Sequence, residues 1–131
     1  MSKGKEESFN EELKIKSYDI HTYYFQSNEN SVKEATALRD KLAKDFAKDV
    51  ENKDLNIYKL WDRPIGPHPY AMWECDLNKP ELFARIVPWF QLNHGSLSVL
   101  VHPHTDKGSL TDHTDFAIWI GEKVPLITSV L

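Results

Sequence analysis

The chain has 131 residues, of which 40% are hydrophobic and 27% charged, and its net charge is −4 at pH 7. These values are typical of one globular domain, and the absence of a basic block argues against nucleic acid as a partner. The sequence has no apolar run of the roughly 18 residues that span a membrane, no apolar N-terminal signal core, and a single cysteine that cannot form an internal disulfide. We therefore expect a cytoplasmic protein that binds neither nucleic acids nor membranes.

The first part of the chain predicts a tail, a strand and a helix. Residues 1–16 are polar and charged and are predicted to be a mobile N-terminal tail, which leaves residues 17–131 as the folded domain. SYDIHTYYFQ, residues 17–26, is rich in β-forming residues and predicts a first strand. Residues 28–49 predict a helix, because Ser31 and Glu34 form a capping box and the apolar residues share one stripe: Val32, Ala35, Leu38, Leu42 and Phe46.

The middle of the chain predicts two strands around a constrained loop. LNIYKLW, residues 55–61, and YAMWECDL, residues 70–77, have strand composition and could pair as a hairpin. Between them, DRPIGPHP, residues 62–69, contains three prolines and a glycine and is predicted to be a rigid loop.

The last part of the chain predicts a second helix and two strands. The helix covers residues 78–95, with Pro80 in its first turn and Gly95 just past its end. SLSVLVHP, residues 96–103, predicts a fourth strand, and FAIWIG, residues 116–121, predicts a short fifth strand. The order β-α-β-β-α-β with an extra C-terminal strand predicts an α+β, ferredoxin-like fold with an antiparallel sheet. The two helices would cover one sheet face, and a second subunit usually covers the other, which predicts a homodimer.

Three histidines are predicted to converge on the face of the sheet without helices. The ferredoxin-like strand order makes the first and fourth strands antiparallel neighbours. His21 and His102 lie opposite the apolar positions of these strands, so both should project from the helix-free face. Two imidazoles on adjacent strands can chelate a divalent metal. His113 follows after a ten-residue loop that could return to the same end of the sheet, so His21, His102 and His113 are the predicted metal ligands.

His68 is harder to assign, because its loop is nominally at the opposite edge of the sheet from His102. It would join the other histidines if the proline-rich loop folded over the sheet or if a partner subunit supplied it. The sequence leaves four roles open for it: a metal ligand, an acid–base residue, a substrate contact, or a residue that merely belongs to a rigid loop.

The other polar candidates are weaker. His104 forms an H-x-H pair with His102, but Pro103 is expected to interrupt the strand between them, so His104 is predicted to be a bystander. His94 ends the second helix, where a cation complements the helix dipole, and is predicted to be structural. Glu74 and Asp112 could each supply a carboxylate to the site.

Four segments together resemble the small fungal and bacterial DOPA 4,5-dioxygenase family. They are, in chain order, SYDIHTYYF, DRPIGPHPYAMWE, LSVLVHP and DHTDFAIWIGEKVPL, and they span residues 17–126. The most specific parts are GPHP, LVHP and the DH…A-x-W-x-G ending. The resemblance implies extradiol, 4,5- or 2,3-cleavage of a catechol such as L-DOPA to a seco-DOPA, with O₂ and non-haem Fe(II). The histidines that match the family by position are His21, His68, His102 and His113.

The chemistry implied by the resemblance suits these residue types. Ferrous iron needs few protein ligands and open positions, so that a catechol and O₂ can bind together, although zinc or nickel would also occupy histidine ligands. His68 and His113 are the candidate catalytic residues, since a histidine near the metal can move a proton. No acidic residue stands at an obvious third-ligand position, so a three-histidine site is expected, with Glu74 or Asp112 as the remaining carboxylate candidates. The alternative function is a non-catalytic, dimeric protein that binds a metal or a small molecule.

Overall fold

The structure is a computed structural model, and it describes residues 7–131. Within these residues it contains one five-stranded antiparallel sheet with the order β2-β3-β1-β4-β5. The strands are β1 (Ser17–Tyr24), β2 (Leu55–Ile57), β3 (Ala71–Leu77), β4 (Ser98–His104) and β5 (Ile118–Ile120). The first four strands have the ferredoxin-like order that the sequence predicts, and the extra strand joins the sheet beside β4. The predicted fold class is therefore confirmed.

Two long helices cover one face of this sheet. The helices are α1 (Glu29–Asp45), α2 (Ala47–Glu51), α3 (Pro80–Asn93) and α4 (Ser109–His113), followed by a 3-10 turn at Thr128–Val130. The main core joins α1 and α3 to the sheet, with Leu42 and Phe90 packed on the same cluster as Ile20 and Val99. The helix-covered face is thus closed by apolar side chains, and the opposite face is left for other residues.

The start of α1 differs from the prediction. Asn28 is the N-cap, and its side-chain oxygen accepts a hydrogen bond from the Ser31 amide at 3.0 Å, so the helix begins at Glu29. The predicted capping box is wrong, because Ser31 and Glu34 have other partners. The Ser31 hydroxyl accepts from the Phe25 amide, and the Glu34 carboxylate accepts from the Ser96 amide. An asparagine is as good an N-cap as a serine, and it comes earlier in the chain.

Strand β4 continues through Pro103, where the sequence predicts an interruption. In an antiparallel strand the backbone groups of successive residues point to alternate sides. The His104 carbonyl accepts from the Lys16 amide on the β1 side, so the backbone nitrogen of Pro103 points to the β5 side. Pairing with β5 ends where Val101 meets Ile118. A proline is tolerated at position 103 because β5 does not extend far enough to require an N–H there.

The helix-free face is partly covered by the chain itself. A second buried cluster of Tyr23, Met72, Leu100 and Val124 packs there against partly buried residues of the proline-rich loop and the C-terminal segment. The Ile127 amide donates a hydrogen bond to the Pro67 carbonyl at 2.8 Å, which ties these two segments together. Some of the cover that the sequence analysis assigned to a second subunit therefore comes from within the chain, and the homodimer stays a prediction.

Part of the predicted tail lies against the domain. Asn10 and Ile15 exchange two backbone hydrogen bonds, and the Phe9 ring packs edge-on against Tyr18 and Phe83, with centroids 4.9 and 5.4 Å apart. Residues 1–6 fall outside the described residues, and the division of the chain at residue 17 stays a prediction. No helix within residues 7–131 is long and apolar enough to cross a membrane.

Candidate metal centre

Three histidines from separate elements meet on the helix-free face. His21 of β1, His102 of β4 and His113 of α4 each offer a ring nitrogen, and these atoms lie within 4.8 Å of one another. The Nε2 atoms of His21 and His102 are 3.2 Å apart, and the rings of His102 and His113 have centroids 3.9 Å apart. This is a group that could hold a metal ion, since imidazole nitrogen binds iron, zinc, copper and nickel.

The register of the sheet brings the first two histidines together. In the pairing of β1 with β4, His21 lies opposite Leu100 and Asp19 lies opposite His102, so the two histidines are diagonal neighbours on one face. His113 reaches them through α4, a one-turn helix within what the sequence predicts as a loop. That helix starts after Gly108, whose φ of 101° lies in a region that residues with a side chain rarely adopt.

Backbone carbonyls select which nitrogen two of the histidines present. Nδ1 of His102 lies 3.1 Å from the Pro103 carbonyl oxygen, and Nδ1 of His113 lies 2.8 Å from the Ser109 carbonyl oxygen. A carbonyl can only accept, so each Nδ1 carries a hydrogen and donates it. In a neutral imidazole the Nε2 atom then has a free lone pair, which is the form that a metal ligand needs.

Burial keeps His21 and His102 neutral. His21 is 4% exposed and His102 is 1% exposed, whereas His113 is half-buried. Burial, followed by the neighbouring His113, lowers the pKa of His102 to about 4. Burial and four surrounding imidazoles lower the pKa of His21 well below its ordinary value. At neutral pH both side chains are therefore unprotonated, so a metal would not have to displace a proton from them.

His68 joins the same cluster from the proline-rich loop. The loop folds over the sheet and buries His68 to 5% exposure, with its ring centroid 4.4 Å from that of His21. Burial and the neighbouring His113 lower the pKa of His68 to about 4. Among the described residues, His68 lies beside the three-histidine group and not in it. Of the two routes that the sequence left open, the loop's own fold brings His68 in, without a partner subunit.

The Tyr23 hydroxyl holds His68 in place, with its oxygen 2.7 Å from Nδ1 of His68. Burial, and then the nearby Glu74 carboxylate, raise the pKa of Tyr23, so the phenol stays protonated at neutral pH. The sequence motifs do not single out Tyr23. The signal that could have found it is strand alternation, which puts Tyr23 on the same face of β1 as His21.

The two carboxylate candidates have different positions. Glu74 lies opposite His21 in the pairing of β1 with β3, and its Oε1 is 3.8 Å from Nδ1 of His21. Burial, and then the carboxylates of Asp19 and Asp76, raise the pKa of Glu74 to about 7. Asp112 is buried, and its two oxygens accept hydrogen bonds from the amide and hydroxyl of Thr105. Glu74 faces the histidines, whereas Asp112 fixes the segment that carries α4.

The remaining two histidines have other contacts. Nε2 of His104 lies 2.9 Å from Oδ2 of Asp19, and this hydrogen bond raises the pKa of His104. Nδ1 of His94 donates to the Leu97 carbonyl at 2.8 Å, just beyond the end of α3. Within residues 7–131 neither one belongs to the three-histidine group. Asp19, Glu74 and Asp76 form a second, acidic group on the same sheet face, which the sequence analysis did not identify as a unit.

Comparison with known proteins identifies the family. The sequence model of the Dopa 4,5-dioxygenase family matches residues 18–130. The chain belongs to this family. The resemblance found in the four sequence segments is thereby confirmed.

Two curated relatives and one solved structure are similar to this family member. DOPA 4,5-dioxygenase of Amanita muscaria is 33% identical over 112 residues, which are 86% of this chain and 48% of that protein. An uncharacterised 21.2 kDa protein of Botryotinia fuckeliana is 43% identical over 120 residues, which are 87% of this chain and 62% of that protein. The chain thus spans between about half and three fifths of these relatives. The crystal structure of a candidate dioxygenase from Nostoc punctiforme has a TM-score of 0.76 and 29% identity, and the match covers 90% of this chain and 92% of that one.

Proposed function

We propose that this member of the family is a non-haem Fe(II)-dependent extradiol dioxygenase that opens the ring of a catechol such as L-DOPA. The observation that carries the proposal is the group of three converging imidazoles, two of which donate Nδ1–H to a backbone carbonyl and so turn Nε2 towards the group. Family membership supplies the reaction class. The Amanita muscaria relative, which is named for DOPA 4,5-cleavage, suggests the substrate class.

The hydrogen bonds of His21 test whether a metal fits this group. Nε2 of His102 has no hydrogen, so in a metal-free cluster His21 has to donate to it from its own Nε2. Nδ1 of His21 would then be a bare acceptor, and it is indeed a buried atom without a hydrogen-bond partner among the described residues. The Glu74 carboxyl group lies 3.8 Å from this atom, beyond hydrogen-bond distance. With a cation at the three histidines, the hydrogen of His21 would lie on Nδ1 and face Glu74.

His21, His102 and His113 would hold the metal, and Glu74 would orient His21 from behind, as carboxylates commonly do for metal-binding histidines. Ferrous iron bound by three protein nitrogens keeps positions open for both catechol oxygens and O₂ and lowers the pKa of the catechol hydroxyls. A purified sample could also contain zinc or nickel, which bind the same ligand type.

His68 would contact the substrate or move a proton beside the metal ligands. It is buried next to His21 and is held by Tyr23, so its ring has a defined orientation. The low pKa of His68 means that it starts the reaction as a neutral imidazole, which can donate or accept a hydrogen bond.

Ring cleavage tests the proposal directly. The protein is loaded with Fe(II) under anaerobic conditions and is then mixed in air with L-DOPA and a panel of 4-substituted catechols. We expect O₂ uptake and a yellow ring-opened product in equal amounts. His21→Ala should lose bound iron and turnover together, and His94→Ala is the matched control, because His94 lies outside the cluster and should leave both intact.

The alternative function is a dimeric metal- or small-molecule-binding protein without catalysis. It predicts one bound metal per chain and no O₂ uptake with any catechol of the panel. A sample that binds iron at stoichiometry and turns over none of these substrates would contradict the dioxygenase proposal.

A further inference from the structure

Tyr23 is a buried residue of the helix-free face whose hydroxyl reaches His68. It lies two residues after His21 on β1 and is 3% exposed. Its phenol oxygen is 2.7 Å from Nδ1 of His68, which is the one hydrogen bond of this hydroxyl within residues 7–131. The other side of its ring stacks near Trp119, with centroids 5.9 Å apart and planes 27° apart. The phenol therefore has little freedom to choose another partner.

The hydrogens of this pair can be arranged in two ways. A neutral His68 has one ring hydrogen, on Nδ1 or on Nε2. If the hydrogen were on Nδ1, the phenol would accept it, and the hydrogen of the phenol itself would be buried without an acceptor among the described residues. If the hydrogen is on Nε2, Tyr23 donates its own hydrogen to Nδ1, and the Nε2–H group is not among the buried polar atoms that lack a partner within residues 7–131. A buried donor without a partner is costly, so the second arrangement is favoured.

We infer that Tyr23 holds His68 in the tautomer that carries its hydrogen on Nε2, so that His68 presents an N–H donor to the substrate. The inference rests on the proposed function for its catalytic consequence, but the tautomer is a property of the chain itself. Tyr23 is then a positioning residue, which acts on the substrate through His68.

This tautomer narrows the four roles that the sequence left open for His68. With Nδ1 bound to Tyr23 and a hydrogen on Nε2, His68 has no lone pair for a metal, so it is not a ligand. For the same reason it does not take the first proton from the catechol. It is suited to donate a hydrogen bond to a substrate oxygen that gains negative charge during the reaction.

The tautomer can be measured without turnover. The protein is labelled with ¹⁵N-histidine and loaded with diamagnetic Zn(II), and long-range ¹H–¹⁵N correlation spectra identify the protonated nitrogen of each ring. His68 is assigned with a His68→Ala variant. We expect His68 to carry its hydrogen on Nε2 in the wild-type protein and to become a mixture of tautomers in Tyr23→Phe.

Tyr24→Phe is the matched control. Tyr24 is the next residue of β1, is 4% exposed, and donates its hydroxyl to the Trp61 carbonyl at 2.9 Å. It contributes to the main core on the helix-covered face, so its substitution should leave the His68 tautomer unchanged. A wild-type His68 with its hydrogen on Nδ1 would overturn the inference. So would a Tyr23→Phe variant whose His68 stays entirely in the Nε2 form. The wild-type spectrum decides the first point even if Tyr23→Phe does not fold.

Kinetics give a second, separable result. In the Fe(II)-loaded protein, Tyr23→Phe should lower kcat by about tenfold or more, with unchanged metal content, because the contact that fixes both the tautomer and the ring orientation of His68 is lost and an N–H donor is no longer held at the reacting oxygen. Tyr24→Phe should stay within about twofold of the wild type. If Tyr23→Phe turned over the substrate at the full wild-type rate, the proposed effect of Tyr23 on catalysis would be refuted. If no variant and no wild-type sample opens a catechol ring, the proposed function fails, while the NMR result still stands.

Discussion

The two faces of the sheet show how one strand serves two purposes. On the helix-covered face, β1 contributes Ile20 to the main apolar core, where it is completely buried. On the other face, the next residue, His21, is nearly as buried but is surrounded by imidazoles and a carboxylate. The first face stabilises the fold through apolar contacts. The second face buries polar groups whose hydrogen bonds become complete if a cation is bound. Substitutions of these residues should therefore affect metal binding more than the stability of the fold.

The largest expected effect is on metal binding, from His102→Ala. His102 is one of the three proposed ligands, with its Nε2 atom 3.2 Å from that of His21, so we expect the variant to lose stoichiometric metal. Isothermal titration with Zn(II) and metal analysis of the purified protein measure the loss. Val101→Ala is a neighbouring control on the helix-covered face and should bind metal normally. Normal metal content in His102→Ala would show that His102 is not a metal ligand.

The next effect is on stability, from Ile20→Ala on the helix-covered face. Removing a completely buried isoleucine side chain from a packed core should lower the free energy of unfolding by about 2–5 kcal/mol. Urea denaturation of the metal-free protein, followed by circular dichroism, measures the change. His21→Ala should cost less than Ile20→Ala in the same assay, because it also removes a buried nitrogen without a partner. A larger loss of stability in His21→Ala than in Ile20→Ala would contradict the view that the helix-covered face contributes more to stability than the histidine cluster.

A smaller effect is expected from Glu74→Gln, which changes the carboxylate behind His21. Loss of a carboxylate that orients a metal-binding histidine commonly weakens metal affinity by roughly 10–100-fold. Asp76→Asn is the control on the same face and strand, because the Asp76 carboxylate accepts hydrogen bonds from Asn56 and Tyr58 and does not face His21. Equal metal affinities of Glu74→Gln and the wild type would show that Glu74 does not contribute to metal binding.

The smallest effect concerns the pH dependence of stability in the metal-free protein. His68 and His102 have folded pKa values of about 4, below the ordinary value of 6.5, so the unfolded chain binds more protons between these pH values. Stability should therefore fall as the pH drops from about 7 towards 4, by at most about 1.4 kcal/mol per pH unit for each histidine.

Two other groups oppose this trend. Glu74, with a pKa raised to about 7, and His104, with a raised pKa, both favour the folded state at low pH and lose that contribution as the pH rises. Both are partly exposed to solvent, which weakens their effect. We expect the buried histidines to dominate. Urea titrations at pH 5 and 7 in the presence of a chelator test this expectation. The difference in the free energy of unfolding between the two pH values should be smaller in His68→Gln. A protein that is more stable at pH 5 than at pH 7 would contradict the lowered pKa values of His68 and His102.

Local patterns in the sequence were sufficient for the sheet and for part of the site. Alternation along the strands put His21 and His102 on the helix-free face, and this follows from the two-residue period of any β-strand. The strand order followed from the arrangement of strands and helices along the chain. Boundaries were less predictable, since Asn28 and Ser31 are both good caps and only contacts with Phe25 and Ser96 distinguish their roles.

The contacts of His68, His113 and Tyr23 could not be derived from local patterns. Each depends on a loop or a short helix that packs on the sheet. Such packing is decided by contacts that no strand or helix period encodes, such as the backbone hydrogen bond from Ile127 to Pro67 or the hydrogen bond from the Thr105 hydroxyl to Asp112. Strand periodicity and family motifs therefore predicted which histidines would lie together. The nitrogen that each histidine presents, and the partner that holds it, depend on hydrogen bonds that exist only once the chain has folded.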